Sequence, residues 1–158
     1  MTRRFTGLGL GALAVAAVAC ASGVRPGYNP FPQASVDTVS ATPSQAIQEL
    51  AQGLGREAIS VQWTSPEEGY LESMWYDIVS RQSGQTDRNN PERSVKFRFW
   101  ADPVGTDRAV ITAEAVTWRT TDPSIAIERQ KEMLVPPGHV GEQILQRLLS
   151  GLRERYGG

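Results

Sequence analysis

Two stretches of alternating residues in the second half of the chain constrain the fold most. In SVKFRFWA, residues 94–101, the apolar side chains Val95, Phe97 and Phe99 alternate with Lys96, Arg98 and Trp100. RAVITAEAVTWR, residues 108–119, alternates in the same way after the turn sequence DPVGTD. A period of two is that of a strand with two different faces, and a short turn joins antiparallel neighbours. The sequence therefore predicts a hairpin at the centre of an antiparallel sheet.

An earlier segment extends this hairpin to a meander of four strands. AISVQWT alternates in the same manner, SPEEG has turn composition, and YLESMWYDIV continues as a strand, so residues 58–79 are predicted to form a first hairpin. Residues 81–93 are polar and predict a loop. The segment 120–135 contains SIAIE, a candidate for a short extra strand.

Two amphipathic helices flank the predicted strands. In TPSQAIQELAQGLG, Thr42 is placed as N-cap, Pro43 as first helical residue and Gln45 as capping-box partner. Apolar residues recur at helical spacing both here and in residues 136–156. The predicted fold is α+β, a two-layer sandwich of order α-β-β-β-β-α with both helices on one face of the sheet.

The first twenty residues have the order of a secretory signal. MTRRFT has two arginines and no acid, and a small, apolar run then extends to Cys20. The run is shorter than the roughly 20 residues needed to span a bilayer. We predict a signal peptide over residues 1–19, a flexible tether over residues 20–41, where Pro, Gly and Ser are frequent, and a single domain over residues 42–158.

The segment AVAC resembles the lipobox of bacterial lipoproteins. Ala19 and Cys20 match that pattern, whereas Ala17 stands where the family usually has Leu. The resemblance implies acylation of Cys20 and a membrane anchor in the cell envelope. The alternative is an ordinary cleaved signal that ends near a cysteine. The aspartate that resembles a retention signal is absent, since Ala21 is at its position, and this permits transfer to the outer membrane, facing the periplasm, which is the location we predict. The order and size of the elements over residues 42–156 resemble the BamC family of envelope lipoproteins, which implies an accessory role without catalysis.

Charge and residue inventory exclude several functions. Without residues 1–19, 14 basic and 17 acidic side chains remain, a net charge of −3, which argues against a general nucleic-acid binder. His139 is the sole histidine and Cys20 the sole cysteine, so a zinc site built from these types is not expected. The chain has no G-x-S-x-G motif and no phosphate-cradling loop. We predict no catalytic residue, metal or cofactor.

The sheet face turned away from the helices is the predicted functional site. If Phe97 and Phe99 face the helices, their neighbours point away because strand residues alternate. Tryptophan and arginine are the residue types that dominate binding hot spots. We predict that an envelope protein partner binds this face through Trp75, Arg98, Trp100, Glu114 and Trp118. The alternative is that the tether or residues 120–135 cover the face.

Two other functions remain open. A binder of lipid or another small apolar ligand requires a concave cavity between sheet and helices. A hydrolase requires a cleft with a perturbed carboxylate, for which the acid pairs are Glu67 with Glu68 and Asp102 with Asp107. In the tether, the aromatic rings of Tyr28 and Phe31 either occur by chance, dock on a partner or fold back on the domain.

Overall fold

The computed structural model describes residues 25–27, 29–84, 90–119 and 131–157. The predicted signal peptide, Cys20, Tyr28 and the SIAIE segment at 124–128 lie outside the described residues.

An open antiparallel sheet forms one layer of the domain. Its strands run in the order β1-β7-β6-β3-β2, while β8 pairs with β7 beyond the end of β1, and β4 pairs with β6 beyond the end of β3. A 3₁₀ turn, Pro91–Arg93, precedes β6. The strands are β1 Ser35–Val39, β2 Val61–Ser65, β3 Tyr70–Ser73, β4 Tyr76–Asp77, β5 Gln82–Ser83, β6 Ser94–Pro103, β7 Ala109–Trp118 and β8 Glu132–Leu134.

The α+β class is confirmed, but the count of four strands was wrong. The predicted strand YLESMWYDIV is divided into β3 and β4, and the Ser73 hydroxyl accepts a hydrogen bond from the Phe97 amide at 2.9 Å where β3 ends. The strands β5 and β8 lie in segments that were too polar to be predicted as strands. β1 lies within the stretch predicted as tether, because SVDTV forms a strand only through its pairing with residues 109–113 of β7.

The two helices begin where their capping residues predict. In α1, Pro43–Arg56, the Gln45 amide donates to the Thr42 hydroxyl and the Gln45 side chain accepts from the Thr42 amide, so the capping box is confirmed. In α2, Val140–Tyr156, the N-cap is His139, whose Nδ1 accepts from the Gly141 amide at 3.0 Å. Its Nε2 lies 2.8 Å from the Glu92 carbonyl oxygen, so the only histidine has a structural role. Within the described parts, no helix is long and apolar enough to cross a membrane.

The hydrophobic core lies between the sheet and both helices. The predicted orientation of Phe97 and Phe99 is confirmed, since both are fully buried in this core. The helices meet at Gly53, where an added Cβ would lie 2.8 Å from Leu148 Cδ2. The helices contribute Ala46, Ile47, Leu50, Leu54, Ile144, Leu145, Leu148, Leu149 and Leu152 to the core.

Candidate functional site

The five residues of the predicted site lie together on the sheet face opposite the helices. Arg98 and Trp100 are on β6, Glu114 and Trp118 are on β7, and Trp75 lies between β3 and β4. The rings of Trp75 and Trp118 stack at a centroid distance of 4.2 Å with an interplanar angle of 24°. We call this surface the rear face.

The rear face is covered, which removes the exposed apolar surface that partner binding was expected to use. Trp100 is 1% exposed, Glu114 2%, Arg98 7% and Trp118 9%, while Trp75 is half-buried. Hot-spot residue types indicate a docking surface only where a partner can reach them. Alternation placed these side chains on the correct face, and of the two alternatives, exposed or covered, the structure has the covered one.

Both segments proposed as covers contribute to this burial. The Phe31 backbone amide donates a hydrogen bond to Glu114 Oε2 at 3.0 Å, so the chain before β1 crosses the rear face. From β8, Glu132 Oε2 lies 2.5 Å from Arg98 Nη2. The segment around Phe31, predicted as a flexible tether, therefore contacts the folded domain.

A network of buried charges underlies the two tryptophans. Arg98 contacts three carboxylates, those of Glu72, Glu114 and Glu132, at distances of 3.6, 3.1 and 2.5 Å. Lys96 Nζ lies 2.7 Å from Glu72 Oε1 and 5.1 Å from the centroid of the Trp75 ring. Two cations thus face three carboxylates, and each charge has a partner at close range, which is the condition for tolerating charges inside a protein.

Burial of Glu114 disfavours the charged form of its carboxyl group. Burial raises the pKa of the Glu114 carboxyl, although the Phe31 amide and Arg98 oppose the shift by stabilising the charged form. Because both carboxylate oxygens already accept hydrogen bonds, the group is positioned to hold the N-terminal segment rather than to transfer a proton to a substrate. The charged side chains of the rear face are therefore bound by other segments of the same chain.

The acid pairs considered for hydrolysis do not converge on a cleft. Glu67 and Glu68 are exposed in the turn between β2 and β3, and Asp107 is exposed in the turn after β6. Asp102 forms an ion pair with Arg25, with 2.6 Å between Arg25 Nη1 and Asp102 Oδ1. In the described ranges, no group of three or more His, Cys, Asp or Glu side chains is suited to hold a metal ion.

A cleft that the sequence did not predict lies where the C-terminal end of α1 meets the start of α2 and the β4–β5 hairpin. Its volume is about 300 Å³. We call it the Arg81 cleft, and its lining residues are Arg56, Glu57, Ala58, Tyr76, Ile78, Arg81, Val140, Ile144 and Arg147.

A buried aspartate builds the hairpin that forms one wall of the Arg81 cleft. Asp77 Oδ1 accepts hydrogen bonds from the amides of Val79 and Ser80 at 2.8 and 2.9 Å, and Oδ2 accepts from Arg93 at 2.9 Å. Burial on its own would raise the pKa of Asp77, but these three hydrogen bonds outweigh it and the pKa is lowered. The Arg81 amide then donates to the Asp77 carbonyl, which places Arg81 at φ 57°.

Of the three arginines that line the cleft, two form ion pairs with a glutamate. Arg147 binds Glu57 through two hydrogen bonds of 3.0 and 2.9 Å, and this contact lowers the pKa of Glu57. Arg56 is paired with Glu49 outside the cleft. For Arg81, the described part of the chain supplies no hydrogen bond or ion pair to the guanidinium. The cleft therefore contains an excess of positive charge.

A phenol and an apolar wall complete the cleft. Burial raises the pKa of Tyr76, so its hydroxyl stays protonated and is a hydrogen-bond donor at neutral pH. Among the described residues, no hydrogen-bond partner of this hydroxyl is found. Ile78, Val140 and Ile144 supply aliphatic surface. Cationic, hydrogen-bonding and apolar groups thus line one concave space, the composition typical of a small-molecule site.

Comparison with known proteins adds no assignment. The chain matches no protein-family model, and a search of curated proteins finds none similar to it. The residues and their geometry are therefore the basis for the function proposed below.

Proposed function

We propose that the chain is the precursor of a membrane-anchored envelope lipoprotein, with a non-enzymatic domain that serves as a protein-binding or scaffolding accessory. The observation that carries this proposal is the position of the sole cysteine in AVAC, directly after a basic and then apolar segment of 19 residues. The anchor is a lipid on Cys20, and the proposed location is the outer membrane, facing the periplasm.

The contacts of the N-terminal segment support a short spacing between anchor and domain. Arg25 is paired with Asp102 at the end of β6, and Phe31 is bonded to Glu114 on β7. Cys20 precedes Arg25 by five residues, which span at most about 17 Å when fully extended. A lipid on Cys20 would therefore hold the β6–β7 turn close to the membrane surface.

The edge strand β2 is the surface we propose for a protein partner. Its Trp63 side chain is 43% exposed, and among the described strands only β3 pairs with β2. An unpaired edge offers backbone hydrogen bonds to an added strand, and an exposed aromatic side chain next to it supplies an anchor. This edge replaces the covered rear face as the site of partner binding.

Fatty-acid labelling tests the anchor. We expect an alkyne analogue of palmitate to label the wild-type chain in the bacterial membrane, and Cys20→Ala to lose both the label and the membrane association. An unlabelled wild-type chain would contradict the proposal.

Affinity purification from cross-linked membranes tests the partner surface. We expect a stoichiometric protein to be lost with Trp63→Ala and retained with Val36→Ala, a matched control because Val36 is also exposed but lies on β1 at the opposite edge. Equal recovery from both variants would exclude the β2 edge.

A second candidate function, the binding of a small ligand, is favoured by the Arg81 cleft. Its volume of about 300 Å³ lies at the lower end of the range of small-molecule sites. The three arginines in its lining distinguish it from a purely apolar lipid cavity.

A further inference from the structure

We infer that the Arg81 cleft binds a small amphiphilic anion, a carboxylate or phosphate monoester that bears a short apolar chain. The inference rests on the second candidate function above and specifies its ligand class. Three features of the cleft support it, namely its charge, its apolar wall and its backbone.

The charge of the cleft selects an anion. Three arginines line it; Glu49 pairs with Arg56 and Glu57 with Arg147, so the excess is the one positive charge of Arg81, although the whole chain has a net charge of −1. The bidentate contact with Glu57 occupies Arg147, whereas the guanidinium of Arg81 has no hydrogen bond or ion pair within the described residues and acts on Glu57 only at longer range. A guanidinium binds carboxylate or phosphate through parallel hydrogen bonds, and the Tyr76 hydroxyl adds a neutral donor beside it.

The volume of the cleft and its aliphatic wall indicate the apolar part of the ligand and its length. A volume of about 300 Å³ corresponds to about ten water molecules, so a ligand of about ten non-hydrogen atoms fits. The side chains of Ile78, Val140 and Ile144 offer aliphatic contacts that a bare inorganic anion would leave unused. An apolar chain of about six carbons joined to one anionic group satisfies both conditions.

The backbone indicates that the cleft is formed before any ligand arrives. Two residues in its lining, Ala58 and Arg81, have positive φ values of 60° and 57°, a conformation that costs a non-glycine residue free energy. They are the only non-glycine residues with positive φ in the described part of the chain. The hydrogen bonds of Asp77 hold Arg81 in this conformation. At Ala58, the positive φ belongs to the C-cap of α1, where the Ala58 amide donates to the Gly55 carbonyl and the Ile59 amide to the Leu54 carbonyl. Hydrogen bonds within the chain therefore hold both residues in place without a ligand.

Calorimetric titration of the purified full chain tests the inference. The probes are hexanoate, hexyl phosphate, hexanol, hexylamine and inorganic phosphate, and methyl chemical shifts of Ile144 locate the binding. The chain is taken from whichever cell fraction contains it, so the result does not depend on lipidation of Cys20. We expect hexanoate or hexyl phosphate to bind at Ile144 at least tenfold more tightly than hexanol and hexylamine, and a preference between the two anions identifies the headgroup.

Variants test the role of Arg81. Arg81→Gln should weaken binding by about ten- to hundredfold, because a charge-assisted hydrogen bond is lost. Arg108→Gln, at an exposed arginine in the β6–β7 turn, should leave it unchanged. Tyr76→Phe, which removes only a hydroxyl, gives a second test if Arg81→Gln does not fold, and should weaken binding severalfold.

Each other outcome overturns a defined part of the inference. Equal binding of hexanol and hexanoate would leave a ligand site but refute the requirement for an anion. Inorganic phosphate binding as tightly as hexyl phosphate would refute the apolar part. If none of the probes binds, both the inference and the second candidate function fail, while the lipoprotein proposal is unaffected.

Discussion

Replacing Arg98 by methionine tests whether the rear face is held together by its buried charges. Arg98 is 7% exposed and contacts the carboxylates of Glu72, Glu114 and Glu132. Methionine fills much of the space but leaves these carboxylates with Lys96 as the remaining cation of the network. Removing one partner of a buried ion pair costs about 3–5 kcal/mol. Since the whole domain is expected to be stable by about 5–15 kcal/mol, this loss is a large fraction of its stability.

Urea unfolding at pH 7 measures the effect, and a second substitution identifies its cause. We expect Arg98→Met to lower the free energy of unfolding by about 3–5 kcal/mol, and the melting temperature by about 10–20 °C. Adding Glu114→Gln should restore part of this loss, because it removes a buried charge whose pKa is already raised by burial. Glu114→Gln alone should have a smaller effect, because the amide oxygen can still accept the hydrogen bond from Phe31.

A control at an exposed arginine of the β6–β7 turn shows whether the loss of stability comes from the burial of Arg98 or from the loss of any one positive charge. Arg108→Met should change the free energy of unfolding by less than about 0.5 kcal/mol. If Arg98→Met were equally mild, the rear face would be hydrated and its ion pairs would behave like surface pairs. That result would refute the description of the network as buried.

Three further predictions concern turns, caps and pH. Gly69→Ala should lower the free energy of unfolding by more than about 2 kcal/mol, because φ is +64° and the new Cβ would lie only 2.1 Å from the Ala101 carbonyl oxygen. Gly105 also has a positive φ but has open space around it, so Gly105→Ala should lower it by only about 1 kcal/mol. Equal urea midpoints for the two variants would contradict this. Thr42→Ala should lower the free energy of unfolding by about 1 kcal/mol through loss of the α1 capping box, and an unchanged urea midpoint would refute that role. The lowered pKa of Asp77 contributes stability that is fully present above its unfolded value of about 3.9 and is lost as the pH falls through the folded value. Unfolding measured from pH 6 to pH 2 should therefore show a loss that is smaller in Asp77→Asn, and parallel curves would contradict it.

Much of the fold was predictable because its signals are local. The alternation in β6 and β7 placed Phe97 in the core and Arg98 on the opposite face. The capping box at Thr42 marked the first residue of α1. Each signal depends on residues within a few positions of each other. The strands that were missed lack such a signal, since β1 and β8 have only five and three residues and form by pairing with the same edge of β7.

The functional surfaces were less predictable because they depend on distant contacts. Alternation brought the five rear-face residues to one side of the sheet, but the hydrogen bond from Phe31 to Glu114 joins residues 83 positions apart. The Arg81 cleft combines the end of α1, the β4–β5 hairpin and the start of α2. No spacing in the sequence indicates that Arg81 and Arg147 line the same space.

The sequence by itself determined the order of the helices and central strands and the face on which the residues of β6 and β7 lie, because both follow from periodicity and capping. It also placed Cys20 in a lipobox-like segment. Only the tertiary structure decided that the rear face is covered, that the segment before β1 belongs to the domain, and that a cationic cleft exists. The physical reason is that burial and cavities depend on which distant segments meet, and the energy of those contacts appears only once the elements have packed.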